Sequence, residues 1–427
     1  MCGYVDDSRL EQFRQFRKEI RGSKDYLIIG IDIAKEKHHA FFGTATGKTL
    51  LRRLIFDNTI EGFNKLLDQA KTIQTAHALK KVVFGLEPTA NYHKPLGEHL
   101  IRCAKKVVLV SGVSVKRNRE LLDGRWDKHD DKDAANVADL ISQGKCQFYE
   151  YPVMGIRDLR ELLSLKRKLK KQEHGYRVRI RNQLIAQYFP ELDCYSGYAE
   201  TEAIVRWCLD PSEIAGFEND QFETIVSSGR KTLAKKKRLD DIQKLAIASI
   251  GCRVGEGANF DAKIMVEGLR HTREAIKATE DKIEETCKQF PEYSCLLTIP
   301  GYGPDVSSKV LGAVGNPHRF FNQKQVLKMA GLDLSADRSG KTSRAAVPVI
   351  SKQGKADLRY ALYQAAWIAS TRNKDFMAYY AQQLQGREKE QGIKTKRCVK
   401  LSAKLLVIAW TLMKKQETFD IRYLNQT

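Results

Sequence analysis

The chain has 427 residues, with 73 Lys and Arg against 52 Asp and Glu and a formal net charge of +21. That length allows two or three domains, and that charge calls for a polyanionic partner, nucleic acid first and an acidic membrane surface second. No apolar run approaches a membrane span, the opening residues carry no signal-peptide pattern, and nine widely spaced cysteines without a C-x-x-C argue for reduced thiols in a cytosol, against a zinc ribbon or a disulfide scaffold.

Residues 1–25 read as a short amphipathic helix, with Leu10, Phe13, Phe16 and Ile20 on one side. Residues 26–150 alternate strands and helices. Tyr26–Asp32, His39–Gly43 and Leu50–Ile55 are expected as three successive strands, with a hairpin turn at Ala45-Thr46-Gly47-Lys48. A helix over Ile60–Ala76, a buried strand Lys81–Leu86, a helix Lys94–Ala104, a strand Lys106–Val110 and a helix Asp131–Gln143 follow, giving the order βββαβαβα.

Residues 151–290 change character, to long charge-rich helical segments. Leu159, Leu162, Leu165 and Leu169 mark one helix face. Cations including Arg160, Lys166, Arg167, Lys168 and Lys171 fill the other, and the pattern runs on through Arg177 and Arg181. Met265, Leu269, Thr272, Ile276, Thr279 and Ile283 mark a second long helix, and the pair reads as an antiparallel or intermolecular coiled coil. Residues 291–385 form a mostly helical unit. It opens on Leu297–Pro304, a glycine-rich turn of helix–hairpin–helix type in which Gly301 and Gly303 let backbone N–H groups approach a phosphate. Residues 386–427 are a basic amphipathic helix and tail.

Four carboxylates stand where two strand ends and a helix start can bring them together. Asp32 closes YLIIGID, Glu87 closes VVFGLE, and Asp130 and Asp133 lie three apart at a helix start. Such a set suits a pair of Mg²⁺ ions about 4 Å apart on a scissile phosphate. Any single acid also reads as a cap or surface charge, and Asp127 and Asp131 compete with Asp130. Ser339 sits beside Gly340 among Arg338, Lys341 and Arg344, cations placed to stabilise a transition state if the hydroxyl attacks phosphorus. The plain turn is the alternative, and Ser335 and Ser343 are competitors.

GIDIAK, LEPTANYH and HDDKDA, followed by LLTIPGYGP, MAGLDL, SADRSGKTSR and ISKQGKADLRYAL, resemble the DEDD transposases of the insertion-sequence-110 family, with its 1111 subgroup and the Piv-type DNA invertases. The resemblance covers residues 26 to about 190 and about 290 to 385. It implies an α/β plus α chain: an N-terminal RuvC-like (RNase H-like) domain over 26–150, a helical coiled-coil middle over 151–290, and a C-terminal transposase domain over 291–385. It implies Asp32, Glu87, Asp130 and Asp133 as Mg²⁺ ligands and Ser339 as the nucleophile. The family motif before the third acid usually reads K-T-D, where this chain has Lys128-His129-Asp130 and then Asp131. Further implications are donor and target DNA, a structured bridge RNA as guide, a homo-oligomer (dimer or tetramer), and a place at the nucleoid of a prokaryotic cytoplasm. The rival readings are a metal-dependent junction nuclease using water, and a non-catalytic nucleic-acid scaffold.

Overall fold

The computed structural model describes residues 7–123, 130–149, 152–226, 232–335 and 349–426; side chains are described for most of these. The chain divides into two compact units, residues 1–152 with 318–321, and residues 153–317 with 322–427.

In the first unit, α1 (Asp7–Ile20) leads to β1 (Tyr26–Asp32), β2 (Lys37–Thr44) and β3 (Thr49–Asp57), then α2 (Ile60–Ala76), β4 (Lys81–Leu86), α3 (His93–Arg102), β5 (Lys106–Leu109), α4 (Gly112–Asp123), α5 (Asp130–Ser142) and β6 (Gln147–Phe148). The six strands form one mixed sheet in the order β3-β2-β1-β4-β5-β6. β1, β4 and β5 are parallel, while β2, β3 and β6 join antiparallel. The central strands are apolar almost throughout because both their faces are covered. Leu27, Ile29, Ile31, Phe84 and Leu86 pack with Phe63 and Leu66 of α2 and with Leu96 and Leu100 of α3. Ile28, Val83 and Val108 pack on the other face with Val137 and Ile141 of α5, together with Phe16 and Ile20 of α1. Thr59 caps α2, its hydroxyl accepting from the Gly62 N–H at 3.2 Å.

The expected order βββαβαβα needs a correction: α4 stands between β5 and α5, and the short β6 closes the sheet. Among the described side chains of α4, residues 112–119, Val115 and Asn118 are the buried ones.

The second unit is almost wholly helical. α6 (Met154–Arg179) passes into a π-helical turn over Ile180–Ile185, one helical turn α7 (Ala186–Tyr188) and a 3-10 turn. α8 (Ala199–Trp207), α9 (Pro211–Ala215), α10 (Asn219–Val226) and α11 (Leu233–Ile247) follow, and then α12 (Glu256–Cys287). The π turn presents Ile180, Leu184 and Ile185 to a core that includes Phe189, Ile204, Phe222, Ile242 and Leu269. α6 and α12 pair within one chain and run antiparallel. Tyr176 lies on Gly268, Arg273 pairs with Glu173 at 3.3 Å, and Lys166 pairs with Glu280 at 2.9 Å. The antiparallel reading is the observed one. On α12 the seam residues Met265, Leu269, Thr272, Ile276, Thr279 and Ile283 are all buried. On α6 the expectation is less well met: Leu165 is 44% exposed, while Lys166, expected on the solvent face, has a side chain only 14% exposed. The carboxylates of Glu280 and Asp305 draw it inward.

The chain ends in α13 (Pro291–Leu297), α14 (Pro304–Val314), α15 (Gln323–Ala330), the two-stranded ribbon β7 (Leu334–Ser335) and β8 (Val349–Ile350), α16 (Ala356–Arg372), α17 (Lys374–Leu384), α18 (Ile393–Lys415) and α19 (Arg422–Gln426). Leu401, Leu405 and Ile408 of α18 are buried, as their spacing predicts. No described helix is long and apolar enough to cross a membrane.

Candidate active site

β1 and β4 lie side by side in parallel, with Gly30 opposite Gly85 and Ile31 opposite Leu86. Side chains alternate along a strand. Ile28, Gly30 and Asp32 therefore face one way from β1, and Val83, Gly85 and Glu87 face the same way from the end of β4. This is the face that α5 covers. Asp32 and Glu87 thus close neighbouring strands on the α5 side, both half-buried.

Two glycines bring α5 down onto that face. A Cβ at Gly30 would land on the backbone of α5, against the Ala134 carbonyl oxygen and 2.6 Å from the Ala138 nitrogen. A Cβ at Gly85 would meet side chains and no backbone, chiefly the flexible tip of Ile141, with Val137 Cγ1 at 3.3 Å. The close approach is what sets the first turn of α5, with Asp130 and Asp133, beside the end of β1. Gly30→Ala is therefore expected to lower stability by about 3 kcal/mol, the upper end of the overpacking range, and Gly85→Ala by about 1 kcal/mol. Thermal melts of the two variants compare them, and equal losses would mean that α5 is not seated on Gly30.

The loop after Asp32 is tied down as well. The Ala34 N–H donates to Nδ1 of His38 at 3.2 Å, and His38 is fully buried between Phe56 and Phe63. Burial pushes the His38 pKa below its usual value, outweighing an upward pull from Asn58. The ring is thus held neutral, with Nδ1 as acceptor.

Each acid has distinct surroundings. The Glu87 carboxylate lies against the first residue of α4, with Oε1 2.8 Å from where a Cβ of Gly112 would stand. A helix N-terminus favours negative charge there, which gives Glu87 a structural role beside any chemical one. Asp133 is 2% exposed and meets the Arg119 guanidinium of α4 at 2.6 Å. The contact is an ion pair without hydrogen-bond alignment, since Asp133 Oδ1 and Arg119 Nε have no hydrogen-bond partner. A buried polar network backs it. Asn118 donates to Asn136 at 2.7 Å and to Asp139 at 2.8 Å, and Asn136 donates to the Val115 carbonyl at 2.7 Å. Sequence reasoning missed Arg119 and this network. The one available signal is Asn136, a polar residue within the apolar stripe of α5.

Asp130 is the first residue of α5, and its side chain and that of Asp131 lie outside the described residues. Among the described residues, no three acid, histidine or cysteine side chains converge on one point. In kind the donors fit a divalent cation: two carboxylates from adjacent strand ends, and a buried aspartate oxygen with no hydrogen bond.

Ser339, Arg338, Lys341 and Arg344 lie outside the described residues, between β7 and β8. Of the cations expected to meet phosphate, Lys168, Lys171 and Arg177 are exposed on α6. Arg167 pairs with Asp357 at 3.2 Å. Arg181 is gripped at both ends by Asp193, at 2.6 and 2.9 Å. Gly303 is open and precedes α14. Gly301, with φ +87°, has a role inside the fold: a Cβ there would strike the Ala365 carbonyl of α16.

Two family models match the chain, one described as "Transposase", of the DEDD IS110 type, over residues 29–190 and one described as "Transposase IS116/IS110/IS902 family" over residues 293–381. The transposase for insertion sequence element IS1111A of Coxiella burnetii is 22% identical over 95% of this chain and 94% of its own length. The pilin gene-inverting protein of Moraxella bovis is 30% identical over 36% of this chain and 48% of its own length. The mini-circle putative transposase for IS117 of Streptomyces coelicolor is 20% identical over 71% of this chain and 74% of its own length. Since the two models match in chain order, one on either side of the α12 helix, the chain belongs to the IS110/IS1111 family of DEDD transposases, enzymes of DNA phosphoryl transfer.

Proposed function

We propose that the protein cuts and rejoins DNA by Mg²⁺-dependent phosphoryl transfer with Ser339 as nucleophile, and that a structured bridge RNA from its own insertion sequence selects the DNA. The observation that carries this reading is the placement of Asp32 and Glu87 on one face at adjacent parallel strand ends, with the α5 start drawn down beside them by Gly30. The sheet order β3-β2-β1-β4-β5 with its antiparallel hairpin is the support for a RuvC-like domain over 26–150. The helical region 151–290 and the transposase domain 291–385 complete the assignment.

Asp32, Glu87, Asp130 and Asp133 hold the cations, which supply charge stabilisation at the scissile phosphate. Arg119 restrains Asp133, and α4 holds the Glu87 carboxylate at its N-terminus. The Ser339 hydroxyl gives up its proton and forms a bond to phosphorus as the bond to the departing 3′-oxygen breaks. A phosphoserine-linked end and a free 3′-hydroxyl result. A 3′-hydroxyl from a second strand then attacks that phosphoserine, restoring the serine and joining the strands without ATP. Acids and serine from different protomers of a homo-oligomer make up one site, at the nucleoid of a bacterial cytoplasm.

The RNA arm is tested by purifying the protein from its host and sequencing the nucleic acid that accompanies it. A discrete RNA from the element's flank, with segments complementary to donor and target, is the expected result. Random RNA would sink RNA guidance and return target choice to the protein.

A further inference from the structure

A groove of about 470 Å³ opens between α6, α14 and the first turn of α16. Six cationic residues line it, Arg160, Lys166, Arg167, Lys170, Lys309 and Lys355, against a single carboxylate, Asp357. Its floor is apolar, from Leu163, Ala313 and Leu358. Tyr360, 63% exposed, is part of its lining.

The cations divide by depth. Lys166 and Lys309 both meet Asp305 at 2.6 Å, so the inner wall is fixed by ion pairs. Burial alone would raise the Asp305 pKa, yet its hydrogen bonds from Lys166 and Lys309 hold it below the usual carboxylate range, which keeps that wall charged. Arg167 and Lys170 stand at the rim. Arg167 pairs with Asp357 at 3.2 Å while both side chains are more than half exposed, and Lys170 pairs with Glu173 at 3.2 Å. The Arg167–Asp357 pair is exposed and contributes little, so a phosphate exchanges readily for that carboxylate, whereas Lys170 reaches the groove from a partner, Glu173, that is only 15% exposed and shared with Arg273. The first turn of α16 has no side-chain cap and opens on the same space.

A cationic rim, an apolar floor and an exposed ring make the combination that binds an unpaired nucleotide, with phosphates on the cations and the base stacked on the aromatic face. The space takes one nucleotide-sized group and is too small for a double helix. We infer that this groove binds single-stranded nucleic acid, holding one unpaired base on Tyr360 and its flanking phosphates on Arg167, Lys170 and Lys355. The inference deepens the proposed recombinase reading, in which strands must separate to be exchanged, and rests on it for its biological use.

The test uses the full chain and a labelled twelve-nucleotide oligonucleotide, single-stranded or paired with its complement, followed by anisotropy over a salt series. Tyr360→Ala is expected to weaken single-strand binding about tenfold and leave duplex binding unchanged, while Tyr360→Phe retains both. Lys170→Glu with Lys355→Glu is expected to lower the single-strand salt slope by about 1.4, at ~0.7 for each phosphate no longer neutralised. Lys282→Glu with Lys288→Glu makes the same charge change at the exposed C-terminal end of α12 and the residue that follows it. An equal loss there, or equal loss of single strand and duplex in Tyr360→Ala, overturns the groove. The same oligonucleotide as DNA and as RNA identifies the source of the strand by which binds more tightly, and equal affinity assigns the site to the shared base and phosphate. Unchanged strand binding beside an intact Ser339 adduct removes the groove and leaves the proposed chemistry standing. Weakened strand binding with no adduct from any protein does the reverse.

Discussion

Ser339→Ala is expected to abolish the covalent protein–DNA species and to cut recombination at least ~10³-fold, because the variant lacks the oxygen that bonds to phosphorus. The measurement is direct. Protein is mixed with labelled DNA carrying the element's ends, any accompanying RNA and Mg²⁺, quenched in denaturant, and run on a denaturing gel. Wild type is expected to leave label attached to protein. If Ser339→Ala still nicks DNA, and wild type never retains label, the nucleophile is water and the junction-nuclease reading replaces the recombinase. If the adduct persists in Ser339→Ala, a neighbouring serine carries the chemistry, and Ser335 and Ser343 are tested next.

The second large effect is expected at Asp32. Asp32→Asn keeps the side chain's shape and removes its charge. The loss of several kcal/mol of charge stabilisation at the reacting phosphate corresponds to roughly 10³-fold in rate, at ~1.4 kcal/mol per tenfold. Because Asp32 lies at a strand end and half-exposed, the fold is expected to survive. The separating readout is thermal stability with and without Mg²⁺. An ion bound only to the native state at 100 times its dissociation constant stabilises by about 2.7 kcal/mol. Wild type is expected to gain on adding Mg²⁺, and Asp32→Asn to gain markedly less. A variant that loses activity while keeping the full Mg²⁺-dependent gain would remove Asp32 from the metal set.

Much of the first unit could be read from the chain because burial writes a plain pattern there. Tyr26–Asp32 and Lys81–Leu86 are the observed strands to the residue, since a central parallel strand covered on both faces must be apolar along its length and ends where a carboxylate begins. α2 spans Ile60–Ala76 as its spacing predicts. α4 was not legible, because among its described residues one apolar side chain, Val115, joins Asn118 and Arg119 in holding α5, and polar contacts leave no period. Ion pairs were equally hidden. Arg181 reads as one more cation in a phosphate-binding run, but Asp193, twelve residues on, folds back to grip it. Lys166 meets an aspartate 139 residues away, and no local pattern announces such a partner. The π turn at Ile180–Ile185 has the composition of an ordinary helix, and it buries Ile180, Leu184 and Ile185 together. For the site, the strand-end acids were visible as acids and their shared face followed from alternation. The closeness of α5 depended on Gly30, which in sequence is simply a glycine in a strand.

Thr272, Thr279 and Thr286 recur every seven residues along the buried side of α12, and each hydroxyl donates to a carbonyl of its own helix, at 2.7, 2.6 and 2.8 Å. Towards the partner helix these three positions therefore offer a methyl group and no directional bond. The alignment of α6 with α12 rests instead on Tyr176 over Gly268 and on ion pairs such as Arg273 with Glu173. An arm assembled this way is forgiving in phase: a small screw of one helix past the other would unmake no threonine hydrogen bond between them.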